Sequence, residues 1–307
     1  MLPVPIEERT IDVGFPVLVR EAGPEDAPAI LCLHGGPGMD AGYFLPDPNV
    51  WGSGLRELAG AFRVVTYDQR GCGGSGVPAE DQPLALSRHV DDIERVREAL
   101  GLERPAILAH SFGTVLALLH AVRHPDAASS LVLVGCAPTK SFQDGYRRAV
   151  AEELPPAARE RLRTIQREPL TDEAMRERFA LALPLYFHDP PIEERRRWLL
   201  ENVTFHARVN RSIALDLESY DLTPALPQIR IPALVVYGER DRVVRPEYQL
   251  ELRGRLRTAR FVAFQESGHF PFLEEPEPFA RVVHYFLRHG LAAEAPGPAS
   301  LPHSGGA

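Results

Sequence analysis

Residues 106–119 read AILAHSFGTVLALL. An apolar run over about 105–110 meets a turn of small and polar residues around Ser111, and a helix-like apolar pattern follows until Pro125 halts it. A short apolar run bounded by turn residues reads as a strand buried on both faces. A tight strand-to-helix turn pushes its central side chain out of the sheet, which would expose the Ser111 hydroxyl. Serine is also an ordinary turn residue, so its companions elsewhere in the chain decide between chemistry and mere geometry.

Working outward, the same rhythm recurs. AILCLHGGPG (29–38) and FRVVTYDQRGCGGSG (62–76) are apolar runs that end in glycine-rich turns, and SSLVLVGCAP (129–138) is another buried strand. RTIDVG and PVLVREAG form an opening pair of strands around Gly14. LSRHVDDIERVREALGL (86–102) predicts a helix capped by Ser87, with apolar residues at 90, 93, 96 and 100 and a stop at Gly101. Strands alternating with helices are the pattern of parallel βαβ units, so the fold class is α/β.

From Thr139 to about Leu222 the rhythm changes to arginine- and glutamate-rich helical segments broken at LPP (154–156) and HDPP (188–191). This predicts a helical insertion at 139–222 between a first core part, 1–138, and a second, 223–290. In the second part IPALVVYGERD (231–241) and ARFVAFQESGHF (259–270) restore the strands, and PEPFARVVHYFLRHGL (276–291) closes with an amphipathic helix. The residues from 291 to 307, rich in Pro, Gly, Ala and Ser, predict a disordered tail.

Composition sets limits. With 307 residues, 44% hydrophobic and 25% charged, the chain can bury a core, and a net charge of −8 argues against nucleic acid as a partner. Cys32, Cys72 and Cys136 lack C-x-x-C spacing and suggest neither a disulfide framework nor a zinc site. The start MLPVPIEERT is no secretion signal, and no run approaches 18 apolar residues, so a cytoplasmic protein without a membrane span is expected. No H-E-x-x-H ligand spacing occurs, so neither metal nor cofactor is expected, and the glycine-rich loop lacks the G-K-[ST] ending of a phosphate loop. A small peptide or other small molecule remains as the substrate, and the oligomeric state stays open.

Three polar residues stand just past predicted buried strands: Ser111, Asp241 in VVYGERD and His269 in QESGHF. In open parallel sheets the carboxyl ends of strands converge on one crevice. The chain order Ser, Asp, His is that of a nucleophile-elbow hydrolase. An imidazole accepts the serine proton, and a carboxylate fixes the imidazole tautomer and stabilises the imidazolium that forms. The run LHGGPGMD (33–40) supplies glycines through which backbone N–H groups can approach a developing oxyanion. Gly36 and Phe112 are the expected donors, with Gly35 the nearest competitor for the first.

With H-G-G-P-G at 34–38, D-Q-R-G-C-G-G-S at 68–75 and the three candidate catalytic residues, the chain resembles the α/β-hydrolase superfamily and, more narrowly, the proline iminopeptidases. The resemblance runs from about residue 10 to 290. It implies an eight-stranded, mostly parallel sheet flanked by helices, a helical cap, and metal-free removal of an N-terminal residue, usually proline, from short peptides. LLENVTF (199–205) resembles the cap segment that carries an acidic residue for the substrate's free amino terminus, which would place that role on Glu201, with Glu218 as a second candidate. Asp68 and Arg70 are expected to brace their loop. The elbow departs from the family's G-G-S-W-G: here it is A-H-S-F-G, with His110 and Phe112 replacing Gly and Trp, so proline preference is less secure than hydrolysis. The alternatives are a carboxylesterase or other acyl hydrolase with the same triad, and a non-catalytic binding protein on this scaffold.

Overall fold

The computed structural model describes residues 4–76 and 84–291. Apart from Leu291, the tail expected at 291–307 lies outside the described residues. Eight strands form one sheet: β1 (Ile6–Asp12), β2 (Pro16–Ala22), β3 (Ala29–Leu33), β4 (Arg63–Tyr67), β5 (Ala106–His110), β6 (Ser130–Val134), β7 (Ala233–Gly238) and β8 (Ala259–Phe264). Their spatial order is β1-β2-β4-β3-β5-β6-β7-β8. The first two strands form an antiparallel hairpin, and β2 also pairs antiparallel with β4; every pair from β4 to β8 is parallel.

The reason the central strands are unbroken apolar runs is visible in their burial. All residues of β5, β6 and β7 are buried, because helices cover both faces of the sheet. One face packs α2 (Leu86–Ala99) and α3 (Phe112–Arg123) through Val90, Ile93, Val96 and Leu116. The other packs α1 (Gly54–Leu58) and the closing helix, whose Phe279, Val282, Val283 and Phe286 recur at helical spacing. The helix expected at 86–102 ends as read, with Gly101 at φ +65, the left-handed turn that glycine adopts without strain. Its cap differs. Ser87 lies inside the helix, and the Leu86 N–H instead donates to Asp216 Oδ2 at 2.6 Å. A partner 130 residues away carries no local signature.

Between β6 and β7 the chain forms α4 (Phe142–Glu153), α5 (Pro156–Arg167), α6 (Asp172–Ala182), α7 (Glu193–Asn202) and α8 (Ala207–Asp216). The base of this excursion is stapled by an antiparallel bridge between Thr139 and Asp221 and by Leu222 N–H donating to the Pro138 carbonyl at 2.9 Å. The second core part adds short helices α9 (Pro246–Gln249) and α10 (Pro271–Glu274) before α11 (Pro276–His289). Among the described residues no helix is long and apolar enough to cross a membrane.

Strand order positions the site. The chain leaves β3 for β4 on one side and returns to β5 on the other, so a crevice opens beyond the carboxyl ends of β3 and β5, where ligands bind in open α/β sheets. The loop at 34–38 leaves β3 at that rim and Ser111 leaves β5 beside it. Asp241 and His269 follow β7 and β8 at the same rim.

Candidate active site

Ser111 joins β5 directly to α3 with φ 53° and ψ −122°, the one non-glycine residue among those described with positive φ. Such a conformation costs on the order of 1–3 kcal/mol and persists only where the surroundings enforce it. Enforcement comes from Ser111 N–H donating to the Val134 carbonyl at 2.8 Å and from close packing of the helix start. A Cβ on Gly113 would stand 2.2 Å from the Leu33 carbonyl oxygen, so only glycine fits there. Ala109 is fully buried with its methyl accommodated. Of the two small positions flanking the serine, the one after it is the strict one.

Asp241 and His269 meet. His269 Nδ1 lies 2.8 Å from Asp241 Oδ2, and both side chains are buried. Asp241 Oδ1 accepts the N–H groups of Val243 and Val244, each at 2.8 Å, while Oδ2 also accepts from Gln249 Nε2 at 3.2 Å. Four donors on one carboxylate fix its plane, so the imidazole carries its proton on Nδ1 and presents a lone pair at Nε2. His269 Nε2 has no hydrogen-bond partner among the described residues, so the serine-to-histidine link is not closed in this state. Catalytic hydrogen bonds are often loose without substrate. The ring packs against Gly135, a residue of the cavity wall that follows the strand whose last carbonyl holds the Ser111 N–H.

Gly135 is a requirement that sequence reasoning missed, although a glycine closing an apolar strand is a visible signal. Its φ is +64°, and a Cβ would stand 2.8 Å from His269 Cε1 and 3.0 Å from Nδ1. Gly135→Ala is therefore expected to displace the imidazole and lower kcat by roughly a hundredfold, with circular dichroism unchanged; an activity within twofold of the parent would show that the ring does not depend on this gap.

The loop at 34–38 treats Gly35 and Gly36 differently. Gly35 N–H is committed to the Tyr43 hydroxyl at 2.5 Å. Gly36, at φ +133°, lines the cavity beside Ser111. Phe112 begins α3, so its N–H is one of those for which a helix offers no internal acceptor. Gly36 and Phe112 both line the cavity that Ser111 lines.

Histidines tie these loops together. His34 Nδ1 lies 2.8 Å from the Gly35 carbonyl, its Nε2 accepts Gln69 N–H at 3.0 Å, and Gln69 Nε2 donates back to the His34 carbonyl at 2.7 Å. H-G-G-P-G and D-Q-R-G thus occur together because they interlock. Burial holds both His34 and His110 below their ordinary range, so both rings are neutral. The Tyr43 hydroxyl donates to His110 Nδ1 at 2.9 Å, and His110 Nε2 donates to the His269 carbonyl at 2.9 Å. The residue replacing glycine at 110 therefore links the donor loop to the backbone of His269. No local pattern in the sequence announced that role. Asp68 braces its loop, accepting from Ala41 N–H, Arg20 and Gly74 N–H, while Arg70 forms a buried bidentate pair with Asp92. Cys72 is buried away from the cavity, and burial pushes its thiol up.

A cavity of about 520 Å³ opens over Ser111, walled on the core side by Gly36, Phe112 and Gly135 and on the far side by α4, α5, α6 and α8. The helical excursion also reaches the catalytic loop, because His269 N–H donates to the Tyr186 carbonyl at 2.6 Å. The two acidic residues expected to hold a substrate amine are not there. Glu201 and Glu218 are exposed and neither lines the cavity; Glu218 contributes only its backbone carbonyl, to Lys140. In α7 the buried residue is Leu199, which turns Glu201 outward.

The fold and this rim of residues define a class. The chain belongs to the alpha/beta hydrolase fold family, whose match spans residues 28–276. Among curated proteins it is similar to a proline iminopeptidase of Heyndrickxia coagulans, 27% identical over 271 residues that cover 84% of this chain and 90% of the relative. Among solved structures, a proline iminopeptidase of Mycobacterium smegmatis superposes with a TM-score of 0.70 at 24% identity, covering 92% of this chain and 98% of the other. An esterase of Exiguobacterium antarcticum does so with 0.70 at 23%, covering 89% and 96%. At those identities the two structures establish the shared fold.

Proposed function

We propose that this protein is a serine hydrolase that cleaves a small ester or amide through an acyl-enzyme. Ser111 attacks the carbonyl, His269 takes the serine proton and later delivers it to the leaving group, and Asp241 holds the ring in the required tautomer. Gly36 and Phe112 N–H groups receive the oxyanion, each able to contribute ~3–4 kcal/mol to its stabilisation. The observation that carries this reading is the Asp241–His269 hydrogen bond at 2.8 Å beside a strained, cavity-lining serine. Residues 139–222 act in this reading as a cap whose helices form the roof over the acyl group.

Removal of an N-terminal proline is the narrower reading, and the name of the curated relative favours it. The cavity wall weighs the other way, since none of the described residues lining it is Asp or Glu. A broad acyl or amide hydrolase is the reading the geometry supports best. Two measurements test it. A fluorophosphonate should label the protein at Ser111, and absence of labelling would favour a binding protein on this scaffold. Prolyl p-nitroanilide should be a poorer substrate by kcat/KM than p-nitrophenyl valerate; the reverse order, beyond the intrinsic reactivity of the two leaving groups, would restore the aminopeptidase reading.

A further inference from the structure

Three charged side chains line the cavity, and all are cationic: Lys140, Arg147 and Arg178. They differ in what they are free to do. Lys140 is exposed and donates to the Glu218 carbonyl. Arg147 is 68% exposed and pairs with Asp144 at 2.9 Å. Arg178, on α6, is half-buried and makes no hydrogen bond or ion pair among the described residues. It also borders an adjoining cleft of about 130 Å³ shared with Gly36, Pro37 and Asn210. Tyr146 and Tyr186, both on the cavity wall, lie close enough to feel its charge.

A guanidinium offers five N–H donors in a planar fork. On the cavity wall none of these donors is answered by a carboxylate, which leaves the fork available to an incoming anion. The wall provides no such partner, and it would repel a substrate that brought an ammonium group.

The geometry points to a substrate that carries its own carboxylate, received by Arg178 while Ser111, on the wall of the same cavity, attacks the scissile carbonyl. This inference names the substrate class of the hydrolase proposed above and rests on that reading. A carboxylate is the anion that matches the fork bidentately and at single charge. The apolar part of the acyl group then has Phe112 and Val115 on the core side and Tyr146 and Tyr186 on the other to pack against.

The test uses three p-nitrophenyl esters of similar acyl length: the hemiester of glutarate, which ends in a carboxylate; valerate, which is neutral; and γ-trimethylammonio butyrate, which bears a fixed positive charge. Wild-type kcat/KM is expected to fall in that order. The ratio of glutarate hemiester to valerate should drop roughly 10- to 100-fold in Arg178→Met, mainly through KM, as befits loss of a charge-assisted pair. Arg178→Lys should recover part of the ratio, and added salt should raise KM for the anionic ester selectively. If valerate or the cationic ester is turned over at least as well as the anionic one, or if Arg178→Met leaves the ratio unchanged, the carboxylate assignment is overturned while Ser111-dependent hydrolysis stands. If none of the three is hydrolysed and no fluorophosphonate label appears, the hydrolase reading fails and the inference fails with it.

Discussion

Ser111→Ala is expected to lower kcat by about a millionfold on every substrate the protein hydrolyses, the scale found when a triad nucleophile is removed. The loss is chemical rather than structural. Ser111 is only partly buried and its Oγ makes no hydrogen bond among the described residues, so the fold forfeits little when it goes. The backbone at 111 keeps its φ of 53°, and alanine carries the same Cβ through the same turn, so the local strain is unchanged. Melting temperature should therefore stay within a few degrees of the parent. What remains is the donor pair of Gly36 and Phe112, which alone can leave a residual acceleration of roughly a thousandfold over water. Burst kinetics should vanish together with fluorophosphonate labelling. A variant that keeps a tenth or more of the parent rate would remove Ser111 from the mechanism.

Much of this site could be read before any coordinates, for a physical reason. Buried parallel strands must be continuous apolar runs, and their carboxyl ends must share a rim, so polar residues just past such runs in 106–110, 233–238 and 259–264 are brought together by topology alone. The glycine-rich run at 34–38 belongs to the same logic. What could not be read depends on which way a side chain faces across elements distant in the chain. Tyr43, His110 and Gln249 act through partners 67 residues away, 159 residues away and eight residues away, and none sits in a pattern that periodicity detects. Ser87 lost its expected capping role to Asp216 in the same way.

The helical excursion shows the limit most clearly. Its helices are charged on several faces, so amphipathicity does not say which face looks into the cavity. Resemblance put Glu201 there, yet no residue of α7 lines the cavity, Leu199 being the residue that α7 buries, and Arg178, on a different helix, stands on the cavity wall. The charged side chains of this wall are cationic, opposite in sign to the acidic residue the resemblance implied. In the proposed reading the core elements supply the reacting groups and the helical excursion sets the substrate, through contacts that single-chain patterns leave undetermined.

Asp241→Asn is expected to lower kcat by roughly ten-thousandfold with the fold intact, through the tautomer of His269. The four donors around the carboxylate dictate how an amide would sit. Val243 and Val244 N–H groups both point at Oδ1, so the asparagine oxygen must occupy that position to keep two hydrogen bonds. Its NH2 group then replaces Oδ2 and faces His269 Nδ1, which at present donates to that oxygen. Two donors cannot share one bond, so the ring shifts its proton to Nε2, and Nδ1 becomes the acceptor. Nε2, the atom that takes the serine proton in the proposed mechanism, then carries a hydrogen and cannot accept it. Gln249 Nε2 also loses its contact at 3.2 Å but keeps the Val244 carbonyl at 2.6 Å, so the loop retains its support. Nitrogen-15 shifts of the imidazole in selectively labelled protein should report the exchange of protonated and unprotonated positions, alongside the drop in kcat. If the exchange occurs and kcat holds within tenfold, proton transfer through His269 is not part of the reaction; if kcat falls without the exchange, Asp241 acts by some means other than orienting the ring.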